Sequence, residues 1–199
     1  MEMIFQQETI TLDQPTAEQV IEQINNYLQK DYYFSHFIAD GTAVYENHEQ
    51  YLEQELPGVG KLEIIAKTVK EFVNDLLLST QDYTERAIPV FQPLAEAFYD
   101  NPKAETWSTL DQLLSGLQWI QEMLMTVGKS GNVPSNWDRY IAVSNKMQEE
   151  ISNLAEAIEN EDNILIGDLL QYELLPNFEE LQKETEWTID NEGTRHDLN

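Results

Sequence analysis

The sequence contains no cysteine among its 199 residues. This absence excludes disulfide bonds, thiol nucleophiles and zinc sites with cysteine ligands. Histidine is nearly as scarce, with three residues in the chain and none between residues 61 and 185. Because bundle di-iron proteins place Glu-x-x-His motifs on facing helices, this gap argues against such a site in the helical part of the sequence.

Motifs of nucleotide and acyl-transfer chemistry are also absent. The stretch GKSG at 128–131 is not a phosphate-binding loop, since position 123 is methionine where the first glycine of that motif belongs. The stretch GVG at 58–60 lacks the third glycine of a dinucleotide fingerprint, and no G-x-S-x-G is present. We therefore predict no catalytic residue, no cofactor and no enzymatic activity.

Long hydrophobic runs are missing as well. No window approaches the roughly 18 uninterrupted apolar residues of a membrane helix. The first residues, MEMIFQQETITLDQ, have no basic region of the kind that opens a signal peptide. We expect a cytoplasmic protein.

Positive charge is scarce, and the chain has 37 acidic against 11 basic residues, a net charge of −26. Residues 1–60 carry 1 basic and 11 acidic side chains, residues 61–148 carry 8 and 11, and residues 149–199 carry 2 and 15. Such a charge repels the phosphates of nucleic acids and anionic membranes, so that neither is expected as a partner. A basic partner protein suits it better.

Hydrophobic periodicity is abundant, and it changes along the chain. Residues 1–67 are predicted to form one strand or a tight hairpin, a helix that Thr16 and Gln19 begin as a capping box, a second hairpin and a last strand. Asp40-Gly41 marks the second hairpin, because Asp-Gly between two β-rich runs is typical of a two-residue turn.

This order of elements resembles the β-grasp arrangement of the ubiquitin superfold, over about the first 67 residues. The chain continues where that family has the diglycine tail used in conjugation or sulfur transfer, so that a carrier role is not implied. Residues 68–186 follow a helical period, and short connections predict an antiparallel bundle of four to five helices. We therefore expect an α+β protein, with residues 187–199 as a flexible acidic tail.

Prolines and glycines are expected to interrupt two of these helices. Pro89 and Pro93 should kink or restart the helix over 82–99. The last helix, DNILIGDLLQYELLPNFEELQKE at 162–184, is expected to be interrupted at Gly167 and kinked at Pro176. The segment NEDNILIGDLLQYELLPNFEELQ at 160–182 is similar to terminal helices of uncharacterised helical proteins of Gram-positive bacteria, a resemblance that implies no activity.

Two histidines lie near several acidic residues at 34–60. Strand pairing outward from Asp40-Gly41 places His36 opposite Tyr45, on one face with Phe34, as a half-buried strand residue. His48 follows the strand end, where Glu49 and Glu53 complete a candidate metal set. The spacing H-x-x-x-H that would support a zinc site there is absent.

Trp119 and Met123 lie off the main apolar stripe of the helix predicted over 106–127. They are candidates for a surface that contacts a partner, since Trp and Met are common at interfaces. Burial of this helix on two sides is the favoured alternative, because a central bundle helix is often apolar nearly all round.

The sequence thus predicts a non-enzymatic interaction or adaptor protein that acts through helical and acidic surfaces. Its expected partner is a protein, either basic or presenting an amphipathic helix. Two alternatives stay open. One is a metal-dependent or enzymatic protein that uses His36, His48 and nearby carboxylates. The other is an acidic mimic of nucleic acid that occupies a basic protein.

Overall fold

The strand-like segments near the N-terminus form one mixed sheet in the computed structural model, which describes residues 1–29 and 31–195. The five strands are β1 (Glu2–Phe5), β2 (Glu8–Thr11), β3 (Tyr32–Ala39), β4 (Thr42–Val44) and β5 (Lys61–Thr68). Their order is β2-β1-β5-β3-β4, with β1 and β5 parallel and the other neighbours antiparallel. The predicted α+β class with a β-grasp-like sheet is confirmed.

Two helices accompany this sheet, α1 (Ala17–Leu28) and α2 (His48–Glu55), and a 3-10 turn (Leu56–Gly58) follows α2. The predicted capping box starts α1, since the Thr16 hydroxyl accepts from the Gln19 N–H and the Gln19 side chain accepts from the Thr16 N–H. The buried face of α1 joins one apolar core with residues of the sheet, and its largest members include Met3, Phe37 and Leu62.

The second hairpin turns at Asp40-Gly41, as the sequence predicts, and Ala39 pairs with Thr42. Both turn residues have positive φ, 46° at Asp40 and 88° at Gly41, the conformation of a type I′ turn. The Asp40 carboxylate also accepts from the backbone N–H groups of Gly60 at 3.0 Å and Lys61 at 2.8 Å. Asp40 therefore serves the turn and fixes the start of β5.

A register shift in β3 overturns one detail of the predicted hairpin. Phe34 pairs with Ala66 in β5 and His36 pairs with Ile65, so that Ser35 has no partner of its own in that ladder. Such an irregularity changes the alternation of side chains along the strand. The prediction that Phe34 shares a face with His36 is wrong, because the ring of Phe34 contacts those of Phe37 and His48 instead.

The remaining described chain is helical, with α3 (Val69–Tyr99), α4 (Ala104–Lys129), α5 (Trp137–Glu159), α6 (Asn163–Asp168), a π-helical segment (Leu169–Leu174) and α7 (Leu175–Glu192). The expected restart at the prolines is wrong, since α3 runs unbroken through Pro89 and Pro93. Both prolines are exposed, so that carbonyls left without an N–H partner are open to water.

The chain divides into two compact units, Met1–Phe72 and Val73–Asn199, called here the N-terminal and C-terminal units. This division falls slightly later than the boundary at 67/68 that the sequence predicts. The first turn of α3 explains the difference, because the ring of Phe72 stacks on Tyr33 of β3 at 4.0 Å between centroids.

The end of the chain differs from the predicted flexible tail at 187–199. Helix α7 continues to Glu192, with Thr188 and Ile189 buried. After the helix, Thr194 exchanges two hydrogen bonds with the Asn74 side chain, through its N–H at 2.8 Å and its carbonyl at 2.9 Å. The tail prediction is wrong for residues 187–195, and residues 196–199 lie outside the described residues.

A polar cluster around the buried Glu184 joins α5 to α7 in the C-terminal unit, and its Arg139 side chain is exposed. The Glu184 carboxylate accepts from Arg139 and from Asn136, each at 2.8 Å. The Tyr140 hydroxyl donates to the Glu184 carbonyl at 3.1 Å and lies 2.8 Å from the Thr188 hydroxyl. Because an unpaired buried charge is costly, these partners fix the position of α7 along α5.

No helix in the described part of the chain is long and apolar enough to cross a membrane.

Candidate binding face

The two histidines singled out in the sequence have separate structural roles. His36 contacts the Tyr45 ring at 4.4 Å, and its Nδ1 is hydrogen-bonded to the Ser35 hydroxyl at 3.1 Å. His48 begins α2, where its Nε2 lies 3.0 Å from the Val44 carbonyl oxygen. Since a carbonyl only accepts, Nε2 of His48 carries the proton.

The candidate metal residues His48, Glu49 and Glu53 do not come together as a ligand set. Within residues 1–29 and 31–195, no group of three or more His, Asp or Glu side chains is arranged to hold a metal ion. The ring of His48 instead packs edge-on against those of Phe34 and Phe37. The geometry therefore gives no support to chemistry shared between His36, His48 and nearby carboxylates.

The predicted partner surface at Trp119 and Met123 is mostly interior. Met123 is only 3% exposed, so its prediction as a surface residue is wrong. Trp119 is half-buried, and its ring meets that of Tyr83 from α3 at 6.1 Å. Helix α4 is apolar on more than one side because other helices of the C-terminal unit cover it.

A different set of large side chains is exposed in the C-terminal unit, on α6, the π-helical segment and the end of α3. Ile164 is 66% exposed, Tyr172 61%, Leu165 42% and Tyr99 41%. Ile164, Asp168 and Tyr172 are spaced four residues apart, which places them along one side of a helical run. We call Tyr99, Ile164, Leu165, Asp168 and Tyr172 the Tyr172 face.

Local sequence explains how α6 begins and how Tyr99 reaches it. The Asp162 carboxylate caps the helix by accepting from the Leu165 N–H at 3.0 Å. Gly167 then leaves room for the Tyr99 ring, since a Cβ at this glycine would lie 2.5 Å from Cε1 of Tyr99. The close approach lets the Tyr99 hydroxyl donate to Asp168 at 2.7 Å.

The Tyr99 hydroxyl carries its proton at neutral pH. Desolvation raises the pKa of Tyr99 to about 12, and the hydrogen bond to Asp168 and the charge of that carboxylate act in the same direction. The phenol is therefore protonated and remains a donor. Asp168 is held in place as an acceptor at the centre of the Tyr172 face.

Pro176 accounts for the π-helical segment beneath Tyr172. Proline has no N–H, so Pro176 cannot continue the regular ladder of hydrogen bonds. The N–H of Leu175 bonds to the carbonyl of Leu170, five residues earlier, which is the π pattern. Such wider turns occur often at functional sites, and here the segment carries the exposed Tyr172.

The chain around the Tyr172 face is strongly acidic. Residues 149–182 contain ten Asp and Glu residues and no Lys or Arg. Glu161, Asp162, Asp168 and Glu173 are all exposed in or beside the face. The face thus combines exposed apolar and aromatic groups with negative charge.

Sequence reasoning missed this face. The sequence predicts an interruption of the last helix at Gly167 and a kink at Pro176. Ile164 precedes Gly167 and Tyr172 follows it. The missing information was the position of Tyr99, which is 69 residues from Asp168 along the chain.

Comparison with protein families finds a match to a domain of unknown function (DUF8042) over residues 75–184. This range contains every residue of the Tyr172 face and most of the C-terminal unit. No curated protein and no solved structure matches the chain. Because the match spans more than half of the sequence, the chain belongs to the DUF8042 family.

Proposed function

We propose that the protein is a cytoplasmic, non-enzymatic adaptor whose Tyr172 face binds a basic amphipathic helix of a partner protein. The observation that carries this proposal is the grouping of Ile164, Leu165 and Tyr172, all exposed, beside the tethered Asp168. Exposed apolar groups in a contiguous patch with a polar rim are typical of protein-binding surfaces.

The spacing of the exposed residues favours a helical partner. Ile164 and Tyr172 are eight residues apart, which corresponds to about 12 Å along a helix axis. Two turns of a partner helix cover the same length, and side chains at i, i+4 and i+7 then meet the face. Aromatic anchors such as Tyr172 commonly contribute a large share of the binding free energy.

Charge favours a partner helix that carries Lys or Arg. Asp168 accepts from Tyr99 and retains further acceptor capacity for a cation, since a carboxylate accepts several hydrogen bonds. Residues 149–182 contain ten Asp and Glu residues and no Lys or Arg, and Lys146 of α5 pairs with one of them, Glu180, at 3.2 Å. Complementary charge mainly raises the association rate and selects the partner.

The experiment is selection of helical peptides from a display library against the full chain. We expect enriched sequences with Leu, Ile or Phe at helical spacing and with flanking Lys or Arg. The double variant Ile164→Ser/Tyr172→Ser should weaken the selected peptides at least about tenfold in fluorescence anisotropy, because two exposed anchors are lost.

The control is Val133→Ser/Ile141→Ser, which changes two other exposed apolar residues of the C-terminal unit, 42% and 43% exposed. It should leave binding unchanged. Enriched peptides without basic residues, or peptides that the Tyr172-face variant binds equally well, would contradict the proposal. Binding that ignores the double variant and disappears with salt would instead support the acidic mimic.

A further inference from the structure

The N-terminal unit contains a cleft of about 560 Å³ between α1, α2 and β3. Six apolar side chains line it, those of Ile21, Ile24, Leu28, Phe34, Phe37 and Leu52. Sites for small molecules typically measure about 300–1,000 Å³ and combine an apolar wall with a few polar groups. The cleft has this size and this kind of wall.

The polar part of the cleft lining is negatively charged. It consists of Asn25, Asn47, His48, Glu49 and Gln50. Glu49 is the only acidic residue in the described lining, which includes no Lys or Arg. His48 donates from Nε2 to the Val44 carbonyl oxygen at 3.0 Å.

One aromatic ring of the lining adds to the same preference. Phe34 is half-buried, whereas Phe37 is fully buried and has no exposed face. The face of a phenyl ring attracts ammonium groups through its quadrupole. Residues 1–60 contain a single basic residue against 11 acidic ones, so that anions are repelled and cations attracted.

We propose that this cleft binds a small organic cation, a primary ammonium carried on an apolar aliphatic or aromatic body. The body lies against Ile21 and Phe34, the half-buried side chains of the apolar lining, and the ammonium is held beside Glu49. This site belongs to the N-terminal unit and is independent of the proposed role of the Tyr172 face.

Three probes with one carbon skeleton test the proposal, 4-phenylbutylammonium, 4-phenylbutanol and 4-phenylbutanoate. Each is titrated into the full chain while methyl NMR signals of Ile21, Ile24 and Leu52 are followed. We expect saturable shifts with the ammonium probe, weaker binding of the alcohol and no saturable shift with the carboxylate. Equal binding of all three probes, or no saturable shift with the ammonium probe, would overturn the proposal.

A pair of variants on one helix separates the site from general charge attraction. Glu49→Gln removes the charge that lines the cleft, and Glu53→Gln makes the same change one turn later, outside the lining. Both residues are exposed, so neither variant should affect folding. Glu49→Gln should weaken the ammonium probe about three- to fivefold and Glu53→Gln should not. Equal effects of both variants would also overturn it.

Discussion

The two units bury different kinds of side chain. Of the described residues, eight buried polar or charged ones all lie in the C-terminal unit, namely Asn74, Thr80, Gln81, Thr84, Asn177, Glu184, Thr185 and Thr188. The core of the N-terminal unit is apolar throughout its described part. Polar side chains such as Asp40 act there at turns and strand ends.

This difference indicates which interactions fix the relative positions of the strands in one unit and of the helices in the other. Apolar alternation and a type I′ turn determine strand pairing in the N-terminal unit. Helices can slide past one another along an apolar stripe, and the Glu184 cluster removes this freedom between α5 and α7. Because α6, the π-helical segment and α7 are continuous, fixing α7 also positions the Tyr172 face.

The largest loss of stability is expected from a cavity in the apolar core of the N-terminal unit. Phe37→Ala should destabilise the N-terminal unit by about 3–5 kcal/mol, since Phe37 is fully buried among apolar side chains. Hydrogen exchange of amides in residues 1–72 measures the loss. Tyr45→Ala, at an exposed aromatic residue of the same unit, should change stability by about 0.5 kcal/mol or less. A small effect at Phe37 would mean that the apolar core does not determine this unit.

The next largest effect is expected from the polar cluster. Glu184→Gln should destabilise the C-terminal unit by about 1.5–3 kcal/mol, because the side chain loses its charge and one of the two oxygens that accept from Arg139 and Asn136. All four tryptophans lie in this unit, so that their fluorescence in a urea titration reports on it. Glu179→Gln, exposed on the same helix, is the control and should have little effect. Equal stabilities of the two variants would show that the cluster does not fix α7.

The stability that Glu184 contributes should also depend on pH. Burial raises the pKa of the Glu184 carboxyl, but hydrogen bonds from Arg139 and Asn136 and the guanidinium charge lower it by more, so that the net pKa is below its ordinary value. The ionised carboxylate therefore stabilises the folded state fully above the unfolded pKa, about 4.3. This contribution is lost as the pH falls through the lower, folded pKa.

The measured quantity is the difference in unfolding free energy between the wild type and Glu184→Gln. It should be constant between pH 7 and about pH 5.5 and should shrink below about pH 4. Urea titrations at pH 7, 5.5 and 3.5 suffice. A difference that grows on acidification would reverse the sign expected from the Glu184 hydrogen bonds.

The smallest expected effect concerns the turn of the N-terminal unit. Gly41→Ala should destabilise by about 1–2 kcal/mol, because φ at this position is +88° and an alanine Cβ is strained there. Gly58→Ala has open space and no such φ, so its effect should be close to zero. The comparison of their urea midpoints measures the difference. Equal midpoints would indicate that the turn conformation does not limit stability.

Most of the N-terminal fold could be predicted because its signals are local. Thr16 and Gln19 lie three residues apart, Asp40-Gly41 is a dipeptide, and β5 alternates just before α3 begins. The register shift at Ser35 could not be predicted, since it arises from pairing with β5 about thirty residues later. That one shift moved Phe34 from the predicted face to the cleft.

The candidate sites were harder to predict because their residues come from distant segments. Glu184 meets Arg139 and Asn136 from 45 and 48 residues away, and Tyr99 meets Asp168 from 69 residues away. Periodicity assigns residues to a stripe of one helix, but it does not tell which neighbour covers that stripe. Met123 was therefore a candidate for a surface, with burial as the favoured alternative, and it lies in the core.

Photo-crosslinking in native cells tests the central claim most directly, that the Tyr172 face binds a basic helix. A photoreactive phenylalanine analogue replaces Tyr172 in one strain and Ile141, the exposed control, in another. The account predicts a crosslinked protein at position 172 alone, attached through a Lys- or Arg-rich helical segment identified by mass spectrometry. The same crosslinked proteins at both positions, or an acidic segment attached at 172, would contradict it.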